Sequence, residues 1–287
     1  MRIDAHQHYW AIARGDYGWI TPHISTLYRD FYPSDLQPSL QKHALDGTIV
    51  VQAAPTLAES KFILELADQS PSILGVVGWI DVFAEDHKEQ LAQLRQYTKF
   101  VGLRIMLQDM EDCNQLLEPQ VLERISYYVE EDIPLDLLVV AKQLDTVLAL
   151  LEVFPTMRAV IDHIGKPNIA EAAFQPWAEQ ISQIAQYPNV YCKLSGMATE
   201  ADHSNWSYQQ FVPYIEKVLS SFGMERVMFG SDWPVCLLAA SYDEVMEIVE
   251  TALPSSWGAE ERARLFGGNA AAFYKLPSIS KESRHEL

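Results

Sequence analysis

The sequence is poor in cysteine, in positive charge and in long apolar runs. Its three cysteines, Cys113, Cys192 and Cys236, are odd in number and far apart, which excludes a disulfide framework and a zinc-finger spacing. Lys and Arg together number 21 against 39 Asp and Glu, a formal charge of −18. Such a surface repels phosphate backbones and anionic bilayers, so neither nucleic acid nor a membrane is expected as a partner. The longest apolar run, Ile73–Ile80, is too short to span a bilayer, and Met1–His6 lacks the apolar stretch of a signal peptide. A cytoplasmic protein is expected, as monomer or homodimer. No low-complexity tract or Pro/Gly/Ser linker divides the chain, and no glycine-rich turn follows the first strand as dinucleotide binding would require.

What the 287 residues do contain is an ordinary globular balance, 48% hydrophobic and 21% charged. Apolar runs recur at Arg2–His8, Gly47–Ala53, Ile73–Trp79, Phe100–Met106, Pro134–Val140, Arg158–His163, Asn189–Ser195 and Arg226–Asp232. Most are continuous in Val, Ile and Leu rather than alternating, the pattern of strands buried on both faces. Helical periods lie between them: Lys61–Gln69, His87–Tyr97, Pro119–Glu131, Lys142–Val153, Trp177–Tyr187, Gln209–Phe222 and Ser241–Leu253. Ser34 with Gln37, Ser207 with Gln210 and Ser241 with Glu244 fit the capping box. Eight strand–helix units point to an α/β fold, a (β/α)8 TIM barrel, rather than an open doubly wound sheet. One barrel domain is expected over residues 1–276, with a polar tail at 277–287. The aromatic-rich stretch 9–33 after the first strand should fold over the barrel mouth.

In such a barrel the chemistry sits at the C-terminal strand ends. There the first strand places His6 and His8, whose alternation turns both imidazoles to one side. The pair suits a transition-metal ion, or two core histidines bonded to neighbours. Strand six ends at Asp162-His163 and strand eight at Ser231-Asp232, so His6, His8, His163 and Asp232 come to one rim.

This constellation resembles the amidohydrolase superfamily. The finer resemblance is to its sugar-lactonase branch, which includes fuconolactonase-like, rhamnonolactonase-like and pyrone-dicarboxylate lactonase-like enzymes. It is carried in order by Ile3–His8, Val77–Asp81, Val101–Arg104, Asp162–Pro167, Cys192–Gly196, Thr199–Asp202 and Met228–Val235. Two departures stand out. The fourth and fifth strands offer neither the bridging lysine nor the histidine of two-metal relatives, which excludes a binuclear centre. Related sequences often have His where this chain has Ile105 after Arg104.

The resemblance implies a hydrolase that opens a sugar-acid lactone of the fucono-, rhamnono- or galactono-lactone type. Asp232 would be the general base, and His6, His8 and His163 would polarise the carbonyl. A single divalent ion, zinc first among candidates and dispensable in some relatives, would sit on His6, His8, His163 and Asp232; no organic cofactor is expected. Arg104 suits a lactone carbonyl or a carboxylate product, or else pairs with one of the surplus acids. Lys193 is unusual in a buried strand and is taken as a substrate contact. Glu200, Asp202 and His203, on the loop after strand seven, either meet sugar hydroxyls or sit in water. Trp79, Trp233 and Tyr9 are candidate platforms for a sugar ring. His23, His43, His87 and His285 are expected in solvent. A metal-dependent decarboxylase or another carboxylic-ester hydrolase on the same barrel is the alternative. A barrel that binds without turnover comes third.

Overall fold

The computed structural model describes residues 1–277. The tail expected at 277–287 therefore lies, but for Pro277, outside the described residues, as does His285. Eight strands form one parallel sheet in chain order. They are β1 (Ile3–Gln7), β2 (Gly47–Val51), β3 (Ile73–Gly78), β4 (Phe100–Met106), β5 (Leu135–Leu138), β6 (Ala159–Ile161), β7 (Val190–Leu194) and β8 (Val227–Phe229). The helices are α1 (Pro33–Lys42), α2 (Leu57–Gln69), α3 (His87–Leu94), α4 (Pro119–Glu130), α5 (Leu144–Val153), α6 (Trp177–Ile184), α7 (Tyr208–Phe222), α8 (Tyr242–Ala252), α9 (Ala259–Ala263) and α10 (Asn269–Phe273). Strand–helix alternation thus closes a (β/α)8 barrel. None of the helices described is long and apolar enough to cross a membrane.

The local chemistry explains the elements. The Ser207 amide donates to Gln210 Oε1 at 2.8 Å, and Ser241 both donates to and accepts from Glu244, so the expected boxes form at α7 and α8. The expectation at Ser34 is corrected. Pro33 fits the first helical turn, so the cap moves to Tyr32, whose amide donates to Asp35 Oδ2 at 2.9 Å. Helices α9 and α10 carry no long apolar period, which is why the sequence pattern did not announce them.

The edges of the sheet meet where β1 ends. Asp232 N donates to His6 O at 2.8 Å, and His8 N donates to Trp233 O at 2.7 Å. The closing rungs come from the segment after β8, not from β8 itself. The β1 register also slips between Asp4 and Gln7. Ile3 and Ala5 face the barrel interior with Ile49, Val51, Val77, Val160 and Met228, since only the interior can collect residues from so many strands. Asp4 turns outward instead, accepting from Ser231 Oγ at 2.5 Å and from Tyr242 of α8 at 3.0 Å. Without the slip, Asp4 would share the face of His6 and His8. Irregularities of this kind re-aim side chains beside functional sites. At the opposite end, Phe273 and Tyr274 plug the barrel floor and join the interior apolar cluster.

Candidate active site

A cleft of about 580 Å³ opens at the C-terminal strand ends. His8, His163 and Asp232 line its floor, and His6 lies fully buried beside them. Asp232 Oδ1 is 3.2 Å from His8 Nε2, 3.8 Å from His6 Nε2 and 4.0 Å from His163 Nε2. The four side chains expected to converge do converge. His163 and Asp232 both adopt left-handed backbone, at φ 53° and 56°, a strained conformation typical of functional sites.

Small residues make room for them. A Cβ at position 196 would meet His163 Nδ1 at 2.5 Å, and one at 230 would meet His6 Cβ at the same 2.5 Å. Gly196 and Gly230 are therefore parts of the site. His163 Nδ1 is also held by Ser195 Oγ at 2.9 Å. His8 Nδ1 lies 2.7 Å from Val51 O, and a carbonyl only accepts, so that nitrogen carries the proton. His8 thus turns its Nε2 lone pair toward Asp232 unless a second proton or a cation lies between them.

Beneath the floor runs a buried polar axis. Lys193, fully buried, donates to Asp136 and lies 3.1 Å from Asp162 Oδ1 and 3.2 Å from His6 Nδ1. Tyr274 donates upward from the floor plug to Asp136 Oδ1 at 2.8 Å. Burial and Asp162 push Asp136 up, against the pull of Lys193, to about 6. For Asp162, burial pushes upward, but the charge of Lys193 and the adjoining His6 ring outweigh it and hold the carboxyl well below its usual range. His6 and His163 are pushed down, mainly by burial, and are neutral imidazoles at pH 7. In Asp232 burial pushes upward and is overcome by the surrounding imidazoles, His163 first, so the carboxyl stays ionised.

The walls mix charge and apolar surface. Arg104 donates to Gln52 O, stands 3.7 Å from Asp162 Oδ2 and faces the cleft. Lys166 and Glu200 pair at 3.1 Å on one side, with His203 nearby. Met106, Leu138, Val235 and Leu238 form an apolar side.

Several expectations are corrected. Lys193 does not line the cleft; it is sealed under it, where its ammonium lies between Asp136 and Asp162. Trp79, Trp233 and Tyr9 do not line it either. Tyr9 and Trp233 pack edge-on at 6.0 Å, and Trp233 meets Phe31 at 5.1 Å, so they are the core of the segment over the mouth. Trp79 gives its amide to Ser60 Oγ at 2.8 Å and stands aside. The aromatic face in the cleft is Trp19, with Asp16 and Gly18 of the same segment. His87 is buried against the Tyr128 hydroxyl at 2.8 Å rather than solvated. Asp136, Asp162 and Tyr274 escaped the sequence reading. A lone acid within Leu135–Leu138 was the available signal for Asp136.

His6 Nε2 is buried and has no hydrogen-bond partner among the described residues. His6, His8 and Asp232 each bring a ligand atom within 4.8 Å of the others. An orphaned ring nitrogen, a fixed lone pair and a carboxylate fit a divalent cation.

The amidohydrolase family model matches residues 3–276. The chain belongs to the amidohydrolase family. Within that family it is 40% identical over 287 residues to the L-fucono-1,5-lactonase of Burkholderia multivorans, covering 96% of this chain and 97% of that protein. It is 37% identical over 279 residues to the L-fucono-1,5-lactonase of Burkholderia ambifaria, covering 96% of both. A crystal structure of a Burkholderia multivorans amidohydrolase with bound zinc superposes with a TM-score of 0.91 at 40% identity, over 96% of this chain and 100% of that one.

Proposed function

We propose that this amidohydrolase opens a sugar-acid lactone, with L-fucono-1,5-lactone as the leading substrate. The observation that carries the reading is Asp232, ionised and ringed by three imidazoles on the cleft floor. Likeness to two L-fucono-1,5-lactonases supports it. The apolar side formed by Met106, Leu138, Val235 and Leu238 suits the methyl carbon of a 6-deoxy sugar.

In this reading Asp232 takes a proton from water as the water attacks the lactone carbonyl, and returns it to the departing ring oxygen. Neutral His6 and His163 offer ring N–H groups to the developing oxyanion, where loss of one donor costs on the order of 10²–10³ in rate. For His6 that tautomer needs a donor at Nδ1, which Lys193 supplies. Arg104 clamps the carbonyl side or the carboxylate product. Lys166, Glu200 and His203 meet ring hydroxyls, and Trp19 covers the ring. Where bound, a divalent ion held by His6, His8 and Asp232, with His163 beside them, supplies Lewis acidity to carbonyl and water. His6 Nδ1 would then carry the proton and donate it in a hydrogen bond to Asp162 Oδ1, 3.3 Å away, so the Lys193–Asp162 pair serves either tautomer.

The test is a panel of sugar 1,4- and 1,5-lactones followed by pH indicator, before and after chelation, with metal content assayed in parallel. Fastest opening of the fucono-1,5-lactone is expected. Turnover lost with one equivalent of metal makes the ion catalytic, and turnover that survives makes it dispensable. No turnover on any lactone would overturn the reading and favour a decarboxylase.

A further inference from the structure

We propose that Glu59, outside the cleft, is a positioning residue for this reaction, holding the β2 corner whose successive carbonyls set His8, Arg104 and Trp19. The inference rests on the lactonase reading for its kinetic consequence alone.

The corner is Val51-Gln52-Ala53. Val51 O accepts from His8 Nδ1 at 2.7 Å, Gln52 O from Arg104 Nη2, and Ala53 O from Trp19 Nε1 at 2.8 Å. Three consecutive backbone acceptors therefore fix one floor residue and two walls. The corner itself is tied at Gln52 N, which donates to Val77 O at 2.9 Å, and at Ala53 N, which donates to Glu59 Oε1 at 3.1 Å. Glu59 is the side chain that grips it.

The placement of Glu59 is not what helix capping needs. Thr56 is the N-cap of α2, and its hydroxyl accepts from Glu59 N at 3.0 Å. A glutamate three residues after the cap ordinarily returns to the cap amide. Here Thr56 N donates to Ala54 O at 2.8 Å, so the carboxyl is left to reach inward to Ala53. Glu59 is fully buried there, and Oε2 has no hydrogen-bond partner among the described residues. Glutamate is almost never buried without a specific task. The ionisable groups that face it are Arg104 from β4 and Arg14, Asp16 and Tyr17 from the segment over the mouth. Burial, only partly offset by the Ala53 amide and Arg104, pushes the carboxyl up to about 8, so a neutral amide is its isostere.

The experiment compares Glu59→Leu and Glu59→Gln with wild type. Trp-selective ¹⁵N labelling reads the Trp19 indole N–H, assigned by its loss in Trp19→Phe, and steady-state kinetics use L-fucono-1,5-lactone. Glu59→Leu should shift the indole resonance and lower kcat/KM at least tenfold, and Glu59→Gln should restore both. Where Glu59→Leu does not fold, Glu59→Asp replaces it, being one methylene too short to reach Ala53. An unshifted indole with unchanged kcat/KM in a folded variant, or no rescue by Gln, overturns the proposal. If wild type does not open the lactone, the function reading fails while the indole resonance alone decides the positioning role.

Discussion

Gly230→Ala is the sharpest test of how the site is packed. A methyl at this position would stand 2.5 Å from His6 Cβ, 3.1 Å from His6 N and 3.2 Å from Ser195 Cβ. Carbon atoms in contact prefer about 3.5–4.0 Å, so the first approach is roughly 1 Å too short. A flexible side-chain tip could swing away, but His6 Cβ is rooted in β1, and His6 O already accepts the Asp232 amide. Relief must therefore move the end of β1 and with it the imidazole. Overpacking of this kind costs about 1–3 kcal/mol, which lowers Tm by roughly 2–5 °C in a chain of this size. A displacement of about 1 Å at a catalytic group costs on the order of 10² in rate. Lactone hydrolysis should therefore fall about a hundredfold at a temperature where circular dichroism shows the variant folded. Gly258→Ala is the control, because its methyl would meet nothing closer than Glu261 at 3.5 Å. A folded Gly230→Ala enzyme with near-normal kcat/KM would refute the assigned role of His6.

Asp232→Asn should lower lactone hydrolysis by at least about 10² without unfolding, measured as kcat on the best lactone of the panel. Lys193→Met strands two buried carboxylates and should destabilise by about 3–5 kcal/mol in urea titration; a loss below about 1 kcal/mol would mean that neither acid depends on that ammonium. The pH dependence of stability should expose Glu59. Its folded pKa of about 8 lies above the ordinary 4.5, so its contribution is present below pH 4.5 and is lost as pH rises to 8. Relative to Glu59→Gln, wild type should lose about 1.4 kcal/mol per pH unit across that window, and parallel stability curves would contradict it.

The barrel was legible because buried parallel strands leave continuous apolar runs, and β4 matches its run residue for residue, Phe100–Met106. The shortest strands were overestimated: beyond Ile161 and Phe229 the chain leaves the ladder to build the strained turns that carry His163 and Asp232. The floor of the site was legible through His6, His8, His163 and Asp232, whose side chains announce their chemistry. The supports were not. Arg104 and Trp19 are held by carbonyl oxygens, which every residue possesses and no sequence displays. Lys193 was singled out as an unusual buried cation, but its partners Asp136 and Tyr274 come from distant parts of the chain and only the fold brings them together. Trp19 and Tyr9 belong to one aromatic stretch, and only packing decides that the first faces the cleft and the second the interior.

The joint between β8 and β1 gives the cylinder a preferred place to come apart. Its last rungs are the amides of Asp232 and His8, the same residues whose side chains meet at 3.2 Å on the cleft floor. A molecule gripping those side chains bridges the two lips of the joint and acts as a clasp. At a hundred times its dissociation constant such a clasp adds about 2.7 kcal/mol against unfolding. Amide exchange at His8 and Asp232 should then slow together when the cleft is filled, before the rest of the barrel responds. Any drift that loosens this segment to admit a new substrate must also loosen the hoop, so the chemistry of this chain and its endurance are bound to change together.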